Sequence, residues 1–326
     1  MKSIRFVAAA IAAAVSLPIA AAQSQGGESV FRIGAFDGSS GEFATGTPQQ
    51  PVTFIVGRSD PAHAWYGFQP IESKAKPVET APRTIQFALQ QAPASAYTFR
   101  VSILIEHPSV PTLKVDINGR RGTFYLDPKL DSRMGDGSAV SFPAYSHAQV
   151  EFEFPGQYLH SQGVNTITLA AAEASGEAVP DAGFTYDALE LESAPGRKFD
   201  QQAASVTVKP TIFYKEDGGV KEVVDALVRY RQRPQDGTVA LTVSGKRYVQ
   251  SLRGDQDFGE EECRFLLPDF GKRAQANAIL HMNGRTQRFQ QTIEPQKKWT
   301  IYVVPHVHLD LGYTDYQAKV AAIQSR

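Results

Sequence analysis

Residues 96–106 read AYTFRVSILIE. Tyr97, Phe99, Val101, Ile103 and Ile105 fall at every second position, the period that turns all five side chains to one face of a β-strand. QVEFEFP (149–155) repeats the pattern, with Val150, Phe152 and Phe154 set against Glu151 and Glu153, one dry face and one wet. Shorter runs, PVTFIV (51–56), RTIQFAL (83–89), TLKVDI (112–117), GTFYL (122–126), NTITLA (165–170) and FTYDALELE (184–192), are separated by Pro, Gly and Asn clusters. Their spacing is that of an antiparallel sandwich. Asn118-Gly119 predicts a tight turn between two of these runs, because both residues tolerate positive φ. Residues 28–193 are therefore read as one β-sandwich.

A polar stretch around Pro195 and Gly196 predicts a linker over 194–204. The strand rhythm then restarts and predicts a second, immunoglobulin-like sandwich over 205–295. Turns are expected at Gly218-Gly219, Asp236-Gly237, Ser244-Gly245 and Asn283-Gly284. VKEVVDALVRYR (220–231) has a Val223, Val224, Leu227 spacing that also suits a helix. Its Val and Tyr content and the following Arg233-Pro234 favour a strand. From Lys298 the character changes. WTIYVV (299–304) is the apolar run of a strand buried on both faces, and DYQAKVAAIQSR (315–326) has helix-favouring composition. Residues 298–326 are read as the first strand and helix start of a truncated α/β catalytic domain.

Residues 1–22 carry a short basic start (Lys2, Arg5), an apolar stretch and small residues at Ala20 and Ala22, the pattern of a signal peptide cleaved before Gln23. The expected location is outside the cytoplasm, periplasmic or extracellular. Pro18 and the nearby Ser24, Gln25 and Gly26 leave this stretch too short to span a membrane. Losing Lys2 and Arg5 takes the formal net charge from −1 to −3, with no basic block, so nucleic acid is not an expected partner. Cys263 is the only cysteine. It excludes an intramolecular disulfide and reads as a small buried apolar residue.

Three places could carry chemistry. His306, His308 and Asp310 stand one strand period apart just after the WTIYVV run. Imidazole nitrogen and carboxylate oxygen are suitable Zn²⁺ donors, and the carboxyl end of a strand is where α/β barrels build their sites. HAWYGFQP offers His63, Trp65, Tyr66 and Phe68 in a Pro/Gly-flanked segment. Trp65, Tyr66 and Phe68 are candidate platforms for sugar rings, with packing at the sandwich edge as the alternative. DPKLDSRMGDGS holds Asp127, Asp131, Asp136 and Gly137, a solvated loop or a Ca²⁺ loop. Asp187 reads as a residue that caps or hydrogen-bonds a turn.

VVPHVHLDLGYTDYQ (303–317) resembles the opening strand of the catalytic domain in glycoside hydrolase family 38, the α-mannosidases. The resemblance implies zinc ligands at His308 and Asp310, with His306 as a supporting neighbour, and a retaining mechanism. On this reading the nucleophile, the general acid and the remaining ligand lie outside the chain. No catalytic residue is then expected within it, and the chain alone should be inactive. Zinc is the implied cofactor of a complete catalytic domain. An amidohydrolase fragment is a third, less favoured reading of the His-x-His pair.

A second resemblance lies upstream. RTIQFALQQAPASAYTFRVSILIEHPSVPTLKVDINGRRG, VEFEFPGQYLHSQGVNTITLAAA and FTYDALELES look like the carboxy-terminal jelly-roll domain of polysaccharide lyase family 4 rhamnogalacturonan lyases. It implies a galactose-binding-like fold and an oligosaccharide or polysaccharide partner, without the lyase reaction. The expected fold is mainly β: a jelly roll, an immunoglobulin-like sandwich and the α/β start. The expected function is the accessory region of an exported carbohydrate-active protein. The alternative is a non-catalytic polysaccharide-binding or spacer module.

Overall fold

The computed structural model describes residues 27–46, 48, 51–72, 82–105, 110–127, 129–130, 146–172, 183–298, 300, 302, 319 and 322. The strands are β1 (Glu28–Gly34), β2 (Val52–Ile55), β3 (Phe68–Glu72), β4 (Arg83–Phe87), β5 (Ala96–Ile105), β6 (Thr112–Ile117), β7 (Arg120–Tyr125), β8 (Lys129–Leu130) and β9 (Ser146–Pro155). They continue with β10 (Asn165–Ala172), β11 (Gly183–Ser193), β12 (Ala204–Glu216), β13 (Val220–Tyr230), β14 (Gly237–Val243), β15 (Lys246–Ser251), β16 (Phe258–Pro268), β17 (Ala274–Met282) and β18 (Arg285–Ile293). A short helix, α1 (Pro61–Ala64), and a 3-10 turn, Gly156–Tyr158, interrupt them. The fold is mainly β, with strands packed as sandwiches. No helix among the described residues is long and apolar enough to cross a membrane.

The first sandwich packs β1, β11, β5, β9 and β8 against β7, β6, β10, β4 and β2, while β3 pairs with both β11 and β10. The period-2 reading of β5 and β9 holds in register: Phe99 pairs with Phe152 and Val101 with Val150. All four are buried in one core with Ile103, Ile105 and Phe154. The outward alternates, Arg100 and Glu151, pair with each other at 2.9 Å. Asn118 (φ 48°) and Gly119 (φ 86°) form the expected turn between β6 and β7.

The second sandwich packs β12, β13 and β16 against β15, β14, β17 and β18 around Val224, Val228, Leu241, Phe265 and Leu280. The 220–231 segment is a strand, paired along its length with β12 and β16. Ser244-Gly245 and Asn283-Gly284 are left-handed turn pairs as expected. Asp236-Gly237 is different: Gly237 opens β14, and a Cβ there would lie 2.7 Å from Leu252 Cδ1. The bend expected here ends at Asp236, and the glycine faces a close approach without taking a left-handed turn conformation. Cys263 is buried, which raises its thiol pKa to about 12 and makes it a poor nucleophile.

The two sandwiches are also fused, a feature the linker reading did not anticipate. β16 adds to the edge of β7 in parallel, with Phe258 opposite Gly122 and Gly259 opposite Thr123. Asp257 clasps the same place, accepting the Arg121 N–H at 3.0 Å and donating its own N–H to the Arg121 carbonyl at 2.8 Å. Phe258 enters the first core, stacked on Phe152 with ring centroids 5.4 Å apart. A Cβ on Gly122 would lie 2.5 Å from that ring. The joint therefore depends on a glycine on one side and an aromatic ring on the other.

Candidate functional site

The alternation that buries Leu113, Val115 and Ile117 of β6 turns Lys114 and Asp116 the other way, while Thr112 at the strand's start is buried and donates its hydroxyl to the Ala172 carbonyl at 3.2 Å. On β7 the outward residues are Arg121, Thr123 and Tyr125, and on β10 they include Thr168 and Ala170. Together they floor a groove of about 740 Å³. Its far wall comes from the second sandwich, through Arg253, Asp255 and Gln256 in the turn before β16. The groove is composite, and the β7–β16 joint sets its width.

The walls are held by hydrogen bonds that leave much of the polar lining exposed. Asp116 accepts the Gly119 N–H at 2.6 Å, which secures the β6–β7 turn, and lies 3.5 Å from Arg121 Nε. Arg253 donates its backbone N–H to Glu261 Oε1 at 2.6 Å. Glu260 accepts the Tyr125 N–H at 2.8 Å and pairs with Arg229 at 3.0 Å. Burial raises the Glu260 carboxyl above the usual carboxylate value, against the opposing pull of Arg229. Burial also raises the Tyr125 phenol, with Glu262 adding and Arg253 opposing. Tyr125 therefore stays neutral and supplies a half-buried ring with a hydroxyl on one rim of the groove. Threonine hydroxyls, one ring, cations and carboxylates in an open trough suit a ligand rich in hydroxyl groups.

The aromatic segment expected to face sugars lies elsewhere. Asp60 caps α1 by accepting the Ala62 N–H at 3.1 Å, and the helix ends at Ala64. Trp65 then enters the core, 0% exposed, between Phe54 at 6.2 Å and Tyr186 at 5.2 Å. An indole enclosed on both sides offers no face to a ligand, so Trp65 is corrected from platform to core residue. Tyr66 and Phe68 are half-buried: the Arg83 guanidinium lies 5.9 Å over the Tyr66 ring and donates to the Phe68 carbonyl. His63 is exposed beside Asp60 at 2.8 Å.

Asp187 does what its sequence context suggested. It is buried, and its Oδ1 accepts three consecutive backbone N–H groups, from Asp37 at 3.2 Å, Gly38 at 2.8 Å and Ser39 at 3.1 Å. Ser102 donates to Oδ2 at 2.5 Å, and His147 Nε2 meets Ser102 Oγ at 2.6 Å. Ser102 stands between acid and imidazole and is buried. This order holds a loop and does not activate a nucleophile, for which the histidine must lie between acid and hydroxyl.

His306, His308 and Asp310 lie outside the described residues, as do Asp131, Asp136 and Gly137 and the signal-peptide segment 1–22. Asp127 is described and pairs with Lys209 at 3.0 Å. Among the described residues no group of three or more His, Cys, Asp or Glu side chains could hold a metal ion.

Fold and groove define the class: a β-sandwich protein with an open trough of hydroxyl and charged groups. Residues 29–191, half of the chain, match the family described as CBM-like, polysaccharide lyase family 4, domain III, and the chain belongs to that family. No curated protein matches. Solved structures with similarity include a Bacteroides uniformis beta-glucuronidase at 11% identity and TM-score 0.22, covering 65% of this chain and 26% of that one. A beta-D-mannosidase from Dictyoglomus thermophilum has 9% identity and TM-score 0.20, with 64% and 29% covered. The chain spans about a quarter of the length of these structures.

Proposed function

We propose that this chain is a carbohydrate-binding accessory region of an exported carbohydrate-active protein, and that it holds a polysaccharide or oligosaccharide in the groove shared by its two sandwiches. The observation that carries the reading is the outward row Lys114, Asp116, Thr123, Tyr125 and Thr168 on a CBM-like domain. Sugar recognition needs a ring to stack on and convergent donors and acceptors for hydroxyls, and this row has both. Affinity electrophoresis through plant and microbial polysaccharides tests it. Retention is expected on at least one glycan, and Tyr125→Ala is expected to weaken it by about tenfold, the equivalent of about 1.4 kcal/mol. Absence of retention on every glycan, or retention unchanged in both Tyr125→Ala and Thr123→Ala/Thr168→Ala, removes the groove as the site.

The finer reading concerns the C-terminal segment and rests on the His306, His308, Asp310 spacing. In it, residues 298–326 open a family-38-like α-mannosidase domain whose complete form binds zinc through His308 and Asp310. Two ligands leave a tetrahedral site half built, so residues 298–326 by themselves supply no complete zinc site. The purified 326-residue chain should then cleave aryl α-mannosides no faster than its His308→Ala/Asp310→Ala variant. Faster cleavage by the unmodified chain contradicts this reading and leaves the groove proposal untouched.

A further inference from the structure

A second cavity, of about 290 Å³, lies where the two sandwiches join, and the buried rings of Phe124, Phe152 and Phe258 form part of its wall. Three guanidinium groups line it as well. Arg229 comes from β13, Arg231 from the residue after that strand, and Arg197 from the segment between β11 and β12. Its volume falls just under the ~300 Å³ at which pockets for whole small molecules begin, so it suits one charged substituent of a larger ligand.

The carboxylates of the cavity do not balance its cations. Glu153 is shared, with Arg197 Nη1 at 2.5 Å and Arg231 Nη2 at 2.6 Å. Glu151, the other acid on the lining, is engaged by Arg100 at 2.9 Å. The lining therefore sets three cations against two carboxylates, one of them committed to a residue outside it. Arg229 Nε lies 3.0 Å from Glu260 Oε1 but outside hydrogen-bonding direction, and this buried N–H has no acceptor among the described residues.

Aromatic rings hold two of the cations in place: Arg229 lies 5.3 Å over Phe124 and Arg231 5.5 Å over Phe199. A guanidinium stacked on a ring keeps the N–H groups at its edge for an acceptor. With five N–H donors on each guanidinium, the one shared carboxylate of Glu153 leaves most of them for a further oxyanion.

We propose that this cavity binds a single oxyanion group, a carboxylate or a sulfate ester, carried by a glycan. Arg197, Arg229 and Arg231 are its donors, and Glu153 is the internal carboxylate with which the ligand competes. The ligand class rests on the carbohydrate-binding reading, while the site itself is separate from the groove.

Titration calorimetry of the full chain, at one salt concentration, with oligomers of dextran, carboxymethyl-dextran and dextran sulfate tests it. At least one charged form is expected to bind about tenfold more tightly than the neutral one, and which of the two does so assigns the substituent. Arg197→Gln/Arg231→Gln should erase that preference, whereas Arg285→Gln/Arg288→Gln, which removes the same charge from β18, should leave it. Glu153→Gln frees two guanidinium groups and should tighten binding of the charged form several-fold. An ion-pair clasp that only fastens the joint would lose binding in this variant, so the arm still decides if the Arg197→Gln/Arg231→Gln chain melts early. Equal binding of all three oligomers overturns the site. So does a preference that Glu153→Gln weakens, or that Arg285→Gln/Arg288→Gln erases equally. Retention on a neutral glycan that Tyr125→Ala weakens would keep the groove even where the preference for charge is absent.

Discussion

Phe258→Ala is expected to cost about 3–5 kcal/mol, as much as a central core phenylalanine, although Phe258 sits at the first residue of β16 in the second sandwich. The ring is almost fully buried in the first core, stacked on Phe152 and within 6.2 Å of Phe124 and 6.0 Å of Tyr158. Its removal leaves a cavity at the only strand pairing, β7 with β16, that joins the two units among the described residues. The cavity cannot collapse easily, because Gly259, at φ 109°, already sits where a Cβ would lie 2.6 Å from the Thr123 carbonyl oxygen. Urea denaturation followed by tryptophan fluorescence, which reports on Trp65 in the first core, measures the loss. A shift below about 1 kcal/mol would mean that the ring packs at the joint without supporting it. The same substitution should weaken glycan retention, since the joint places Arg253, Asp255 and Gln256 across the groove from Tyr125.

Asp187→Ala should be the second large loss, at about 3–5 kcal/mol, because one partner of a buried charge-assisted network is removed. Three backbone N–H groups, of Asp37, Gly38 and Ser39, and the Ser102 hydroxyl lose their acceptor together. Asp187→Asn keeps one carbonyl oxygen for the loop and should cost less. Hydrogen exchange at the amides of residues 37–39 separates this from a general loosening. Those amides should exchange much faster in Asp187→Ala, while amides of the β5–β9 ladder keep their relative order of protection. Unchanged exchange at 37–39 would show that the loop is held by Glu42, which accepts the Ala35 N–H at 2.7 Å, and not by Asp187.

Much of this molecule is legible along the chain because its strands have one wet face and one dry face. Tyr97, Phe99, Val101, Ile103 and Ile105 point the same way whatever they pack against, since the pleat fixes their direction locally. Asn118-Gly119 and Asn283-Gly284 declare their turns for an equally local reason, a backbone conformation that few residues accept. Asp187 was readable as a turn holder, though not which turn: the loop it holds lies about 150 residues upstream.

What lay beyond the sequence is which distant surfaces meet. Trp65 follows a four-residue helix and has no period to declare its side, so its burial is decided by the space between Phe54 and Tyr186. Arg121 and Asp257 are 136 residues apart, and nothing local to either announces their contact. The groove depends on that contact. Its floor could be listed in advance as the outward residues of TLKVDI, GTFYL and NTITLA, but its second wall exists only because β16 joins β7. The sequence by itself determined the strands, their faces and their tightest turns, since these follow from steric limits within a few residues. The tertiary structure alone decided the joint, the inward Trp65 and the composite groove, because each is a long-range packing choice among faces that the local pattern leaves equivalent.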